Sequence, residues 1–383
     1  MSQSSDALNE PERAILARIE ADPFVSQQDL AAALGLGRST VATYIAQLVR
    51  KGYLLGRAYV PAPRPAVMVI GGAVIDRKYR AAGPVLPGTS NPVTGRRAFG
   101  GVGRNVAEVL ARVGVETTLV TAVGDDEAGH ALLAAAKEAG IDVSRVLMRP
   151  GAATAEYVAV LDPAGRLFTG LADMAVFETM APAEVERLAP VLARTTWVFL
   201  DTNMPAEVIA AVFALRRAGR FRLAADAVSV AKSRRLPADL TGLDVLFLNA
   251  DEAGAMVADG AGLPPEDCAR RLVANGAGAV VLTLGEAGLI VADSGGCHHV
   301  AAVPAEVVDV TGAGDALIAV TLARLLAGVP LIAAVGTGAR AAALTVASEA
   351  SVAPGLSPAL IAADEHDAPG RGCDPEPLKQ GQP

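Results

Sequence analysis

The sequence predicts an α/β protein: a parallel sheet with helices on both faces, a small β lid, and a short helical domain in front of them. After residue 66, β-rich runs alternate with helix-like stretches, which is typical of strands joined by crossover helices. Residues 154–172 interrupt this alternation with two runs around a turn, which indicates an antiparallel hairpin. The first 60 residues instead contain three amphipathic helical stretches.

Length, charge and cysteine content limit the classes of function. At 383 residues the chain exceeds one average domain of about 150 residues. A net charge of −8 argues against a globally basic nucleic-acid-binding protein and leaves room only for a local DNA-binding surface. The cysteines are too few and scattered for a disulfide framework or a zinc motif, and no apolar run is long enough to span a membrane. We therefore expect a cytoplasmic protein without a membrane partner.

Three helices are predicted at the N-terminus: one over 11–20, one capped by Ser26, and one over 38–51. GYLLGRAYV (52–60) suits a two-stranded wing. Residues 1–60 thus resemble a winged helix-turn-helix domain, in which the third helix enters the DNA major groove. Six basic and six acidic residues balance in this segment, so a three-helix packing or dimerisation module stays open as the alternative. The resemblance implies DNA contacts by Arg38, Ser39, Thr40, Arg50 and Arg57.

Prolines at 61, 63 and 65 predict a stiff linker over 61–66, since each proline fixes φ and disfavours a helix before it. The large α/β domain is then predicted over 67–360. Residues 364–383 are rich in proline, glycine and charge and are predicted to be disordered.

The predicted elements of the large domain follow in chain order. VMVIGGAVID (67–76) is predicted as one buried strand, GRNVAEVLARVG (103–114) as a helix, TTLVTAVG (117–124) as a strand and AGHALLAAAKEAG (128–140) as a helix. Four further strands are predicted at WVFLDTN, FRLAADAV, DVLFLN and AVVLTLG. The hairpin 154–172 and the extended stretch 77–99 are predicted to form a lid over a site.

The segment VVDVTGAGDALIAVTLARLL (307–326) is the most informative about chemistry. We expect a strand to end at Asp309, the GAG turn (312–314) to follow, and a helix to begin at Asp315. A helix N-terminus presents unpaired N–H groups and the positive end of a dipole, which suits an anionic phosphoryl group. Asp315 would accept the proton of a hydroxyl that attacks the phosphate in line. The alternative is that Asp315 only caps the helix.

A second glycine-rich segment, FGGVGRN (99–105), opens the helix at 103–114. Its glycines permit close approach of a ligand to the backbone, and Asn105 offers both a donor and an acceptor. The third glycine of a dinucleotide-binding GxGxxG motif is absent, and no Walker lysine motif occurs in the chain. A phosphate-transferring enzyme would therefore use another cradle.

These two segments resemble the two signatures of the PfkB-type carbohydrate kinases of the ribokinase superfamily. They stand here as GGVGRNVAEVLARVGVETTLVTAVGDDEAGH (100–130) and DVTGAGDALIAVTLARLLAG (309–328), and the resemblance covers residues 66–360. It implies a ribokinase-like fold, a Rossmann-like sheet with a β lid. It also implies ATP-dependent phosphorylation of a hydroxymethyl group.

The resemblance assigns roles residue by residue. Asp315 would be the catalytic base, beside an anion hole of Gly312, Ala313 and Gly314. Sugar hydroxyls would be held by Asp76, at the end of the first strand, with Gly100, Gly101 and Asn105. Asn249 and Glu252 would organise Mg²⁺ and its waters near ATP, which would be bound by Thr283, Gly285 and Gly288. Asp309 and Thr311 match positions that bind a monovalent cation such as K⁺ in several members. Taken alone, Glu252 would be a solvated helix residue.

Within the family the sequence is most similar to kinases of pseudouridine and to their relatives with an N-terminal helix-turn-helix. The similarity lies in residues 71–78, 88–105, 154–162, 171–174, 201–203 and 226–232. Polar groups there would bind the sugar and the base edge: Asn91, Tyr157, Asp173, Asn203, Ser229 and Lys232. For Tyr157 and Lys232 the alternatives are hairpin packing and surface charge. Ala227 and Leu248 stand where proline is usual.

We therefore expect 5′-phosphorylation of pseudouridine by a homodimeric enzyme. Two alternatives stay open. One is phosphorylation of ribose, a ketohexose or another nucleoside, because fold and anion hole do not select the sugar. The other is a transcriptional regulator whose kinase-like body senses a nucleoside.

Overall fold

A computed structural model of the chain describes residues 8–55 and 66–362. The chain divides into two compact units, one formed by residues up to 65 together with 187–195 and the other by 66–186 and 196 onwards. Arg57, most of the predicted wing and linker, and the tail over 364–383 lie outside the described residues. None of the described helices combines the length and hydrophobicity needed to cross a lipid bilayer.

The first unit begins with three helices, as predicted: α1 (Glu10–Ala21), α2 (Gln27–Leu34) and α3 (Arg38–Arg50). Ser26 caps α2 by accepting a hydrogen bond from the Asp29 amide, and Gly35 ends it in a left-handed conformation. The apolar stripes of the three helices close over a small core of Ile15, Leu16, Ile19, Leu30, Val41, Ile45, Leu48 and Leu54. Glu12 is fully buried and accepts from the Lys51 ammonium at 2.8 Å, so this pair neutralises itself inside the unit.

The strands after α3 are β1 (Val67–Ile70), β2 (Val74–Ala81), β3 (Val93–Gly100), β4 (Thr117–Val120), β5 (Ala122–Gly124), β6 (Leu147–Arg149), β7 (Glu156–Leu161), β8 (Leu167–Asp173), β9 (Trp197–Asp201), β10 (Arg222–Asp226), β11 (Val245–Asn249), β12 (Ala279–Thr283), β13 (Leu289–Asp293) and β14 (Gly296–Val300). The helices are α4 (Val102–Arg112), α5 (Glu127–Glu138), α6 (Pro182–Glu186), α7 (Ala189–Leu192), α8 (Ala206–Ala218), α9 (Val230–Ser233), α10 (Ala250–Met256), α11 (Pro265–Ala274), α12 (Ala313–Leu326), α13 (Leu331–Val346) and α14 (Pro358–Ala362).

Eight strands form one sheet in the order β14-β13-β12-β11-β10-β9-β1-β4. The six strands from β4 to β12 in this order are parallel, and β13 and β14 add an antiparallel hairpin at one edge. Val69 and Phe199 pack into one core with α4 and α12, while Met68 and Val198, which alternate with them, are buried on the opposite face. The predicted, mostly parallel α/β sheet is therefore confirmed.

A second sheet of four strands, in the order β3-β2-β7-β8, forms the lid. β7 and β8 are the predicted antiparallel hairpin, and β2 joins them by parallel pairing with β7. The stretch 77–99 contributes β3 and most of β2, as predicted. β5 and β6 form a separate two-stranded sheet.

The prediction of single strands at 67–76 and 117–124 is wrong. The first run breaks at Gly71 and Gly72 into β1 of the large sheet and β2 of the lid. A Cβ on Gly71 would lie 2.4 Å from Oδ2 of Asp201, so the close approach of these segments requires glycine there. Asp76 is accordingly the third residue of a lid strand and not the end of the first sheet strand. The second run divides in the same way, between β4 and β5.

The segment before α12 also differs from the prediction. Residues 301–309 form no strand, and α12 begins at Ala313, two residues earlier than expected. Gly312 is its N-cap, so Asp315 is the third helical residue. A run of valines around Asp309 has strand-like composition, yet no neighbouring strand pairs with it. The hairpin of β13 and β14 was not predicted at all.

Candidate active site

The two signature segments meet at a hydrogen bond between Asn105 and Asp315. Asn105 lies in the first turn of α4, and its Nδ2 donates to Oδ2 of Asp315 at 2.8 Å across 210 positions of sequence. Both side chains are buried, and Asp315 retains 9% exposure. The interaction fixes one carboxylate oxygen of Asp315 beside the N-terminus of α12.

Burial raises the pKa of Asp315 to about 7, the Asn105 hydrogen bond opposes the rise, and the carboxylates of Asp201 and Asp76 add to it. A carboxyl group that titrates near neutral pH can accept a proton efficiently from a hydroxyl group. The side chain of Asp315 forms no capping hydrogen bond with the backbone at the start of α12. The alternative in which Asp315 only caps the helix therefore has no support in the geometry.

The predicted anion hole lies at the first turn of α12. Gly312 has φ 83°, and a Cβ there would lie 1.9 Å from the Ser351 carbonyl oxygen. A Cβ on Gly314 would meet nothing within 4 Å, so Gly314 borders open space. The first amide groups of a helix have no intrahelical acceptor, and the open space at Gly314 leaves room for an anion at this end of the helix dipole.

Asp76 lies on the lid strand β2, directly over Gly100. A Cβ on Gly100 would lie 1.9 Å from Oδ2 of Asp76, which explains the glycine at that position. Burial raises the pKa of Asp76 to about 6, against the positive charges of Lys78 and Arg104. Tyr157 is the register partner of Asp76 on β7, so the two side chains share one face of the lid.

Gly101, another predicted substrate residue, has a conformational role. It is the N-cap of α4 with φ 92°, and a Cβ there would lie 2.6 Å from the Gly72 carbonyl oxygen. The glycine therefore lets the start of α4 approach the turn between β1 and β2.

A second polar group lies at the carboxyl ends of β9 and β10. Lys232 donates to Oδ1 of Asn203 at 2.6 Å, and Asn203 donates its backbone N–H to Asp201. Lys232 is half-buried, and this burial lowers its pKa. Ser229, also predicted as a substrate residue, caps α9 by accepting from the Lys232 amide.

Asn249 and Glu252 form a reciprocal pair at the start of α10. Each side chain accepts the other's backbone N–H at 2.9 Å, and Nδ2 of Asn249 also donates to Oε1 of Glu252 at 2.8 Å. Glu252 is buried, and this burial raises its pKa. The alternative of a solvated helix residue is therefore wrong.

The predicted nucleotide residues follow on the neighbouring strand. Thr283 is the register partner of Asn249, so the two strand ends lie side by side. Gly285 and Gly288 both have positive φ. A Cβ on Gly288 would lie 2.3 Å from the Val300 carbonyl oxygen, whereas Gly285 borders open space. Gly288 is thus required for packing, and Gly285 leaves room for a ligand.

Two predicted substrate residues, Asn91 and Asp173, do not join the other candidate substrate residues. The side-chain amide of Asn91 bonds to the backbone of Leu86 and Thr89, within the loop between β2 and β3. Asp173 pairs in register with Glu156, next to the Tyr157–Ala172 pair. Because side chains alternate along a strand, Asp173 lies on the lid face opposite to Tyr157 and Asp76.

Sequence reasoning missed two aspartates at adjacent strand ends, of which Asp201 is fully buried and Asp226 is half-buried. Asp201 and Asp226 are register partners at the ends of β9 and β10. Asp201 accepts backbone N–H groups from Gly72 and Gly103 at 2.8 Å each. Burial raises the pKa of both, and for Asp226 the carboxylates of Glu252, Asp315 and Asp201 raise it further. The available signal was a charged residue directly after a continuous apolar strand.

Arg104 was also missed. Its guanidinium is buried and contacts Glu108, the Phe99 carbonyl oxygen and Oδ1 of Asn105. Burial lowers its pKa, while the charges of Glu108 and Asp76 support the protonated form. Arg104 therefore supplies positive charge to a region rich in carboxylates.

The donor set suits Mg²⁺ held through water and phosphate. Among the described residues, no three His, Cys, Asp or Glu side chains are placed to chelate a metal directly. Mg²⁺ commonly binds through one or two carboxylates, waters and substrate phosphates. Glu252, with Asn249 beside it, offers carboxylate oxygens that retain acceptor capacity after their hydrogen bonds to Asn249. The mutual repulsion of Glu252 and Asp226 would be relieved by a cation.

Comparison with known proteins identifies the class. The profile of the pfkB family carbohydrate kinases matches residues 64–357, and a winged helix-turn-helix DNA-binding profile matches residues 8–54. The chain belongs to the PfkB family of carbohydrate kinases, which are phosphotransferases with an alcohol group as acceptor. The resemblance seen in the sequence is therefore confirmed for both parts.

Individual relatives differ in their substrates. The pseudouridine kinase of Escherichia coli K12 is 28% identical, over 77% of this chain and 95% of its own. The guanosine-inosine kinase of Exiguobacterium acetylicum is 27% identical, over 77% and 98%. An uncharacterized sugar kinase of Escherichia coli K12, YeiI, is 31% identical, and the match spans 54% of this chain and 58% of that protein.

Solved structures show the same fold. A carbohydrate kinase from Agrobacterium tumefaciens superposes with a TM-score of 0.68 at 32% identity, over 78% of this chain and 95% of the other. The ribokinase of Arabidopsis thaliana, solved with ribose and ATP, superposes with a TM-score of 0.67 at 21% identity, over 79% and 98%. The second likeness concerns the fold alone.

Proposed function

We propose that this protein transfers the γ-phosphoryl group of ATP to the 5′-hydroxyl of pseudouridine. The observation that carries the proposal is the Asn105–Asp315 pair, at 2.8 Å, next to open space at Gly314. It places a carboxyl group that titrates near neutral pH beside a helix N-terminus suited to an anion.

In the proposed step, the 5′-oxygen attacks the γ-phosphorus and Asp315 accepts the hydroxyl proton. The bond between phosphorus and the oxygen that bridges to the β-phosphate breaks, so ADP leaves with that oxygen. Backbone N–H groups at the start of α12 would stabilise the charge on the transferred phosphoryl group. Asn105 orients the carboxylate of Asp315 by donating a hydrogen bond to one of its oxygens. The other oxygen stays available to accept the proton.

Glu252 and Asn249 would hold Mg²⁺ through water, and the ion when bound would neutralise charge on the ATP phosphates. Thr283 and Gly285 would border the nucleotide. The proposed reaction uses no K⁺, because the ammonium of Lys78 contacts Asp309 and Thr311. The predicted cytoplasmic location suits an enzyme that uses ATP, and the homodimer stays a prediction.

Two observations support a nucleoside as the acceptor. The buried Asn203 and the half-buried Lys232 offer polar atoms near Asp201, and Tyr157 shares the lid face of Asp76. Together they combine sugar-hydroxyl partners with polar groups for a base edge. The similarity to the E. coli pseudouridine kinase over 95% of its length supports pseudouridine in particular. The comparable match to a guanosine-inosine kinase makes another nucleoside the alternative.

The test is ADP release from Mg·ATP with pseudouridine, uridine, inosine, ribose and fructose in parallel. We expect the highest kcat/KM with pseudouridine. Asp315→Asn should lose about 100-fold or more, as expected for removal of a general base. Asp239→Asn, the same exchange at an exposed loop residue, is the matched control and should keep full activity. Higher kcat/KM for another acceptor would replace pseudouridine, and near-native turnover by Asp315→Asn would exclude Asp315 as the base.

We further propose that the N-terminal unit binds DNA. Thr40, Thr43, Gln47 and Arg50 follow a 3-4-3 spacing along α3, which puts them on one helix face. Ser39, Thr40, Thr43, Tyr44 and Gln47 line a shallow depression there. Polar side chains on the exposed face of a third helix are what base and phosphate contacts in the major groove require.

A further inference from the structure

An ammonium group from the lid contacts the segment that leads into the proposed anion hole. Lys78 lies on the lid strand β2, two residues after Asp76, so both side chains project from the same face. Its Nζ donates to Oδ2 of Asp309 at 2.5 Å and lies 3.0 Å from Oγ1 of Thr311. Asp309 precedes Gly312, the N-cap of α12, by three residues.

Both carboxylate oxygens of Asp309 are already hydrogen-bonded. Oδ1 accepts from the Thr311 amide at 2.9 Å and from the Thr311 hydroxyl at 2.6 Å, while Oδ2 accepts from Lys78. Burial raises the pKa of Asp309, but the hydrogen bonds from Lys78 and Thr311 outweigh it and hold the pKa below its ordinary value. Asp309 is thus an ionised partner matched by one fixed positive charge.

These contacts do not fit a second cation at Asp309 and Thr311. A monovalent cation would have to displace the ammonium from Oδ2 and would repel it at close range. Lysine ends in a compact point charge, so Lys78 can supply at this point the single positive charge that a bound K⁺ would supply.

We propose that Lys78 is a built-in substitute for a monovalent cation, and that this kinase turns over without K⁺. The inference rests on the kinase function proposed above. Lys78 is a positioning residue: it acts through Asp309, whose contacts with Thr311 hold the segment that enters the anion hole. The lid strand that carries Asp76 is tied to that segment by the same ion pair.

The test uses the full-length protein in choline chloride at constant ionic strength, with KCl replacing choline in steps. We expect wild-type ADP formation to be unchanged by KCl. Lys78→Met should lose about tenfold or more in kcat/KM, comparable to the loss of one charge-stabilising donor, and KCl should restore much of it. Activation of the wild type by KCl, or a Lys78→Met variant indifferent to KCl, would overturn the proposal.

Arg77→Met is the matched control. It removes a positive charge from the adjacent position of the same strand, where the side chain pairs with Glu156 on the other lid face. Its activity should not respond to KCl. Lys78→Arg keeps the charge and should stay independent of KCl, and Lys78→Gln replaces Lys78→Met in the assay if the latter does not fold.

A second readout does not depend on turnover. A bound ion raises the melting temperature of the folded state, so KCl relative to choline chloride should raise the Tm of Lys78→Met and leave that of the wild type unchanged. Equal responses of the two proteins would overturn the proposal. If no acceptor yields ADP in any salt, the proposed kinase function fails, while the melting temperatures still decide whether Lys78 occupies a cation site.

Discussion

At the scale of single residues, the site concentrates carboxyl groups that burial keeps partly protonated. Burial raises the pKa of Asp315 to about 7 and that of Asp76 to about 6. A general base must be ionised to work, and the ionised form of Asp315 is the one that its surroundings disfavour. The role proposed for Asp315 would therefore oppose stability at this residue, as is common at active sites.

We predict that Asp315→Asn stabilises the protein at high pH. The pKa of Asp315 is higher in the folded state than its unfolded value of 3.8. The neutral carboxyl group therefore favours folding below pH 3.8, and this contribution is lost as the pH rises through about 7. Above pH 7 the folded wild type holds a buried carboxylate, so the neutral amide should raise the free energy of unfolding by about 2–4 kcal/mol, at 1.36 kcal/mol per pKa unit. Denaturant unfolding at pH 8 and pH 4 measures this difference.

The gain should vanish towards pH 4, where both side chains are neutral. Asp239→Asn is the control of opposite sign: hydrogen bonds from Thr241 lower the pKa of Asp239, so its replacement should not stabilise the protein at pH 8. An Asp315→Asn gain that is the same at pH 4 and pH 8 would contradict burial of the charge as its cause.

At the scale of elements, the two glycines that open α12 have different reasons to be glycine. Gly312 has a positive φ, and a Cβ atom there would clash with the Ser351 carbonyl oxygen. A Cβ atom on Gly314 would meet nothing within 4 Å. We predict that Gly314→Ala preserves the fold, with a gain of about 0–1 kcal/mol from helix propensity. We expect it to lower kcat/KM about tenfold or more, because the methyl group would enter the proposed anion hole. Thermal unfolding and initial rates measure the two effects.

Gly336→Ala is the matched control, since Gly336 lies within α13 and also borders open space. It should show the same small change in stability with full activity. A Gly314→Ala variant that stays fully active would mean that the phosphoryl group does not approach this turn.

Six of the helices (α1 to α5 and α12) and most sheet strands could be predicted from the sequence, because their signals are local. Ser26 starts α2, and the apolar periods of α4 and α5 extend over three turns. The breaks at Gly71 and Thr121 were missed. Thr121 interrupts its run without a clear change of composition, whereas the glycine pair Gly71 and Gly72 was the available signal for the first break. The β13–β14 hairpin was missed because its second strand, GCHHV, lacks the alternation of a half-buried strand.

At the scale of the whole molecule, the candidate site is assembled from strand ends and helix starts that are far apart in sequence. Asp315 and Asn105 could be predicted because they lie in the two family signatures. Asp201 and Asp226 lie in neither signature, and only the register of β9 with β10 brings them together. The contact of Lys78 with Asp309 depends on how the lid strand lies against the segment before α12, which periodicity within either segment cannot show.

The two units match two different families, a winged helix-turn-helix DNA-binding profile and the pfkB family carbohydrate kinases, and we propose a separate activity for each. The first unit has a buried core of its own, and Lys51 is paired with Glu12 within it. On α3 the exposed positive charges are those of Arg38, at the helix start, and Arg50, at its end. If these arginines contact DNA phosphates, the affinity of the protein for DNA must fall as the salt concentration rises.

We predict that the full-length protein binds a duplex from its own promoter more tightly than a scrambled duplex at moderate salt. Arg50→Ala should weaken binding to both duplexes and reduce the salt slope by about 1, since it removes one phosphate contact. Gln47→Ala should instead reduce the preference between them, because it would lose a base contact. Fluorescence anisotropy with labelled duplexes measures both, with Arg18→Ala, an exposed arginine on α1, as control. No binding even at low salt, or equal effects of Arg50→Ala and Arg18→Ala, would identify the first unit as a packing or dimerisation module instead.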